Sequence, residues 1–125
     1  MTWLLVGVGG GVGAMTRHAV NALVQRWATE LGFPAGIFLI NVVGSGVIGL
    51  LAGLIASQQL VMSTETRTFV FVGVLGGFTT FSSFSLDTLT LIKGGQLGLA
   101  VVNIVGQVGL SLAAVLLGYK AASAI

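Results

Sequence analysis

Four long apolar runs leave this chain little room to be anything but a membrane protein. They cover roughly Trp3–Leu23, Ala35–Ser57, Thr68–Ile92 and Gln96–Gly118, each close to the roughly 20 residues that a spanning helix needs. The connections around Gln25–Pro34, Gln58–Arg67 and Lys93–Gly95 are short, so nothing is left over for a soluble catalytic domain. The expected fold class is an all-α membrane protein: a single transmembrane domain over residues 1–125 with four transmembrane helices near 3–23, 35–57, 68–92 and 96–118. Charge agrees, because only 6% of the residues are charged against roughly 25% in soluble domains. Trp3, Trp27 and Tyr119 fall at the ends of these runs, where amphipathic rings favour the headgroup region.

The same residues exclude several functions. Without cysteine there is no thiol nucleophile, disulfide framework or thiolate metal site, and a single histidine, His18, cannot build a metal cluster. A net charge of +2 spread along the chain, with no basic run, gives nucleic-acid binding no support. Gly9 to Ala14 formally satisfies G-x-G-x-x-A, but that fingerprint needs a strand, a helix and a parallel sheet around it. No nucleophile–base pair is visible, so an enzyme is not expected. The first basic side chain is Arg17, too late for the positive start of a secretory signal, and the first run is expected to stay as a helix.

Alternate threading of four spans places Arg67 and Lys120 on one side of the membrane. Arg26 and Lys93 lie on the other, with Arg17 close enough to snorkel towards them. Orientation follows the Lys/Arg asymmetry of short loops, and here that asymmetry is almost nil. The chain is therefore expected to insert both ways and to pair with an inverted copy of itself as an antiparallel, dual-topology homodimer; the alternative is one orientation set by weak signals. Gly9/Gly13, Gly49/Gly53 and Gly73/Gly77 suit tight helix packing, within the chain or across a dimer.

Polar side chains at bilayer depth are costly and mark pathways or interhelical ties. Asn41 stands in the second run, and Asn103, Gln107 and Ser111 form a stripe at i, i+4 and i+8 in the fourth. The third run carries "GGFTTFSSFS", Gly76 to Ser85. Its glycines and hydroxyls lower helix propensity and compete for backbone bonds, so the third helix is expected to break near its middle. Such backbone is tolerated where it lines a cavity, and its freed carbonyls are hard oxygen ligands. Phe78, Phe81 and Phe84 recur every third residue. The default reading is a packing row, yet ring edges are electropositive and, with hydroxyls and the amides of Asn41, Asn103 and Gln107, suit a small anion. The residues alone leave that anion unnamed.

Three segments in order, "GGGVGAMTRH", "INVVGS" and "GGFTTFSSFS", resemble the small Fluc (CrcB-type) fluoride channels over essentially the whole chain. The resemblance implies an antiparallel homodimer with two pores that passively exports fluoride across the cell inner membrane and so lowers its cytoplasmic toxicity. It implies pore roles for Phe81, Phe84 and Asn41, with Ser82, Ser83 and Ser111 as further donors, and a vestibule cation in Arg17. It also implies a structural sodium ion on the dimer axis, held by the backbone carbonyls of Gly76 and Thr79. Phe78 then belongs to packing; Asp87, which would repel anions if it faced a pore, is expected to be a helix-end or paired structural carboxylate. The fourth helix departs from the family pattern: Asn103 and Gln107 stand where Tyr or Ser is familiar, and Val115 replaces a common Thr. The implied partners are a second copy, fluoride and the lipid bilayer, with no nucleic acid. One rival is a four-helix proton-coupled cation or drug exporter, but it needs a carboxylate at depth, and the first, second and fourth runs contain none. A non-transporting membrane scaffold is the other, and it would not require the third motif.

Overall fold

The computed structural model describes all 125 residues, and every regular element is helical. The elements are α1 (Thr2–Trp27), α2 (Ala35–Ala56), α3 (residues 64–78), α4 (Phe81–Lys93) and α5 (Leu97–Ala124). A single 3₁₀ turn, Thr29–Leu31, connects α1 to α2. Helix α1 runs past Leu23 to Trp27, and α5 runs past Gly118 to Ala124. Hydropathy marks where an apolar run ends, whereas the added turn of α5, rich in alanine, remains a good helix former.

Three stretches, Ala35–Ala56, Thr64–Lys93 and Leu97–Ala124, are long and apolar enough to cross a membrane. At 1.5 Å per residue α2 extends about 33 Å and α5 about 42 Å, against a hydrocarbon core about 30 Å thick. Helix α1 matches them in length but carries Arg17, His18, Asn21 and Gln25 together with a run of glycines. Only 18 of the 125 residues are buried within the chain, so most apolar side chains point outwards. The accessible surface is 7551 Å², where a soluble monomer of this mass would expose about 6,200 Å². This is the surface of a multi-pass membrane protein.

Glycine sets the packing. Helix α1 lies against α3, and α2 against α5. A methyl group on Gly9 would sit 2.8 Å from the Phe69 carbonyl oxygen and 3.0 Å from the Gly73 Cα. A methyl on Gly118 would sit 2.6 Å from the Gly46 carbonyl oxygen. Gly13 and Gly77 meet the opposite backbone in the first pair, and Gly49 and Gly53 in the second. All three glycine faces recognised in the sequence are thus used inside one chain.

The segment Thr64–Lys93 is not one regular helix. Residues Thr68–Leu75 wind as a π-helix, and helical geometry continues through Gly76 and Gly77 to Phe78. Thr79 (φ −83°, ψ 154°) and Thr80 (φ −154°, ψ 122°) are extended, and α4 begins at Phe81. Of the glycines expected to loosen the helix, Gly77 is held by close contact with Gly10 of α1 while the exposed Gly76 stays helical, and the interruption falls on the two β-branched residues after Phe78. Thr79 Oγ1 donates back to the Leu75 carbonyl at 2.9 Å. Thr80 Oγ1 accepts the Ser83 N–H at 3.2 Å, the bond of an N-cap. Beside the interruption, Ile37, Ile40 and Phe84 form a small buried core, with Val20 and Phe78 packed on it.

Candidate functional site

Asn41 holds the interruption open from the neighbouring helix. Its Oδ1 accepts the Thr80 N–H at 2.9 Å, and its Nδ2 donates to the Thr80 carbonyl at 3.0 Å. One side chain therefore satisfies both backbone groups of a buried residue that has left the helical ladder, which removes the usual penalty for irregular backbone at depth. Gly44, three residues further along α2, leaves the room that the Thr79 methyl group fills.

The backbone also decides which way round the amides lie. Because the Thr80 N–H can only donate, Asn41 must present oxygen to it, and its nitrogen turns to the Thr80 carbonyl and to Gln107 Oε1. Gln107 Nε2 then donates to Asn103 Oδ1 at 3.0 Å, Asn103 Nδ2 to Thr88 Oγ1 at 3.0 Å, and the Thr88 hydroxyl to the Phe84 carbonyl at 2.9 Å. Every bond runs in the same sense, from the N–H of Thr80 to the C=O of Phe84, and such chains polarise one another. Gln107 is 3% exposed and Asn103 0%. The stripe on the last helix thus divides: Asn103 ties α5 to α4, while Gln107 reaches the Asn41 side chain.

A cavity of about 270 Å³ opens beside this network. Its wall includes Asn41 and Ser45 of α2, the rings of Phe81 and Phe84, and Gln107 and Ser111 of α5; all of its lining residues are uncharged. The two rings are tilted by 56° with centroids 5.3 Å apart. Phe84 is 9% exposed and anchored in the core, but Phe81 is 75% exposed on the outside of the chain. Ser111 Oγ is buried with no hydrogen-bond partner. The arrangement gathers amide and hydroxyl groups and two phenyl rings, all uncharged, around one space.

Residues 4–119 match the family model described as CrcB-like protein, Camphor Resistance (CrcB). The chain belongs to the CrcB-like family. Its relatives include a fluoride-specific ion channel FluC 2 of Nitrobacter hamburgensis, 50% identical over 118 residues, which span 94% of each chain. A fluoride-specific ion channel FluC of Rhodopseudomonas palustris is 45% identical over 125 residues, covering 100% of this chain and 99% of the relative. The protein of that name from Thermus thermophilus is 43% identical over 123 residues, covering 98% and 96%.

Within this CrcB-like chain the residues singled out from sequence take different places. Asn41, Phe81, Phe84 and Ser111 converge on the cavity. Ser82 and Ser83 do not line it; their hydroxyls lie 3.2 and 3.3 Å from Thr80 Oγ1, around the N-terminus of α4. Arg17 is half-buried on α1, one turn beyond Gly13, and is not part of the cavity wall. Asp87 lies in a second cavity with Gln25, Thr29 and Thr90, and its Oδ2 is buried without a partner. Sequence reasoning passed over Thr80 and Ser45. Both had signals: Thr80 is the residue an N-cap before Phe81 requires, and Ser45 follows Asn41 by four.

Proposed function

We propose that this chain is the subunit of a passive, fluoride-selective channel that exports fluoride across the cell inner membrane and protects the cytoplasm. The observation that carries the reading is the uncharged cavity at the interruption, where the phenyl pair, amides and hydroxyls converge, in a chain whose relatives bear the name fluoride-specific ion channel. Fluoride is compact and strongly hydrated: entry requires donors that replace water, and exit requires that none hold it as a fixed cation would. In this reading α1, α2 and α5 each cross the membrane, α3 and α4 in series make the remaining crossing, and two copies associate antiparallel. The outward-facing Phe81 then completes a path with groups of the second copy, and Arg17 concentrates anions at a mouth.

The interruption also supports the sodium reading. In an unbroken helix the Thr80 N–H would serve the Gly76 carbonyl and the Ser83 N–H the Thr79 carbonyl; here those donors go to Asn41 Oδ1 and Thr80 Oγ1. The carbonyls of Gly76 and Thr79 are therefore released from the ladder as hard oxygen donors, the ligand type that sodium prefers. Two copies around an axis would offer four, and the ion would supply an electrostatic tie between subunits.

Liposomes loaded with fluoride, read by a fluoride electrode beside a chloride-loaded control, test the activity. Rapid fluoride release with chloride retained is expected, and a folded dimer that releases neither ion refutes the reading. A terminal tag should be labelled from both faces of the membrane in cells; strictly one-sided labelling would sink the antiparallel arrangement.

A further inference from the structure

Resting on that reading, we infer that Gln107 supplies the amide N–H that faces fluoride, and that Asn41, whose two amide hydrogens are both spent at the interruption, positions the site without touching the ion. Asn41 Nδ2 carries two hydrogens. One goes to the Thr80 carbonyl at 3.0 Å and the other to Gln107 Oε1. Gln107 Nε2 also carries two, but only one is engaged, by Asn103 Oδ1 at 3.0 Å. Gln107 lines the cavity and Asn103 does not, so the amide hydrogen left for a ligand on the cavity wall belongs to Gln107.

Its orientation is not free. Reversing the Gln107 amide would set its NH₂ against the NH₂ of Asn41 and its oxygen against that of Asn103. Neither neighbour can turn in response, because Asn41 is pinned by the backbone of Thr80, and Asn103 donates to a Thr88 hydroxyl whose own hydrogen is taken by the Phe84 carbonyl. Asn103 and Thr88 are positioning residues for Gln107. The bond that Gln107 Oε1 accepts from Asn41 draws electron density through the amide and strengthens the remaining N–H as a donor to an anion. Ser111 Oγ, buried without a partner on the same wall, is placed to join it.

The test is a fluoride titration of the intact wild-type protein in nanodiscs, following the side-chain amide ¹H–¹⁵N signals, with chloride as control. Saturable movement of the Gln107 pair, with a smaller relayed movement of the Asn41 pair and chloride silent, is expected. Movement of the Asn41 pair while Gln107 stays fixed overturns the assignment. Wild-type protein that conducts fluoride while neither pair moves overturns it alone; wild-type protein that neither conducts nor responds removes the channel reading and this inference with it. Gln107→Met should lower fluoride efflux about 10- to 100-fold, the value of one hydrogen bond to a charged group, and unchanged efflux contradicts the role. In Asn103→Leu the fluoride-dependent shift of Gln107 should fade; an undiminished shift in the folded variant overturns the positioning role.

Discussion

Replacing Asn41 by alanine separates the two jobs this residue could have, holding the backbone and contacting an ion. Asn41→Ala deletes the acceptor for the N–H of the buried Thr80 and the donor for the Thr80 carbonyl and for Oε1 of the buried Gln107. Each polar group stranded in this way costs about 1–3 kcal/mol, so the three together cost about 3–9 kcal/mol. Closing the helix would return the Thr80 N–H to the Gly76 carbonyl and recover part of that loss, placing the expected destabilisation near the lower end, about 3 kcal/mol. Ser45→Ala is the matched control. It lies one turn along the same helix on the same cavity wall but has no part in bonding Thr80, and should cost less than about 0.5 kcal/mol. Reversible unfolding of the two variants in one lipid or detergent system measures the difference. Equal stability of Asn41→Ala and Ser45→Ala would refute the view that the side chain of Asn41 sustains the interruption.

Three further outcomes are expected. Gly118→Ala drives a methyl into the backbone of α2 and should cost about 1–3 kcal/mol; at Gly98 a methyl meets nothing within 4 Å, so Gly98→Ala should be neutral or gain up to about 1 kcal/mol, both read as changes in unfolding midpoint. Phe81→Ile and Phe84→Ile should each reduce fluoride efflux while leaving a dimer, but only Phe84→Ile, at a core position, should also lose about 1–2 kcal/mol of stability; normal efflux in both would remove the rings from the path. Thr88→Val strands the Asn103 amide at a fully buried site and should cost about 1–3 kcal/mol. By contrast Thr90→Val removes an exposed bond to the Leu86 carbonyl and should be silent in the same unfolding assay.

What could be read without coordinates, and what could not, follows the range of the forces involved. Apolar run length and the scarcity of charge are properties of the chain alone, so its membrane character was legible. The composition of Gly76 to Ser85 announced trouble for a helix, but not where it would fall. Gly77 is consumed by the approach of α1, a contact with Gly10 more than sixty positions away, and the extended residues are Thr79 and Thr80 instead. The periodic stripe Asn103, Gln107, Ser111 was visible as a stripe; that one member ties helices while another reaches Asn41 depends on the rotational setting of α5 against α2 and α4. Ser82 and Ser83 looked like cavity donors because their type suits an anion, whereas Thr80 draws their hydroxyls to the start of α4. The π-wound stretch Thr68–Leu75 left no trace in composition, since its apolar side chains accept either winding.

Phe81 has a consequence for the life of the protein before any ion moves. A single copy shows its surroundings a mostly bare phenyl ring at Phe81 and an exposed Gly76 whose carbonyl has lost its helical donor. Uncovered polar backbone at membrane depth is penalised by several kcal/mol, so this face is one that a single copy gains by covering. In the proposed pairing, the backbone that leaves a lone copy exposed is the backbone that would join two, so the paired fraction should rise steeply with the density of copies in the membrane.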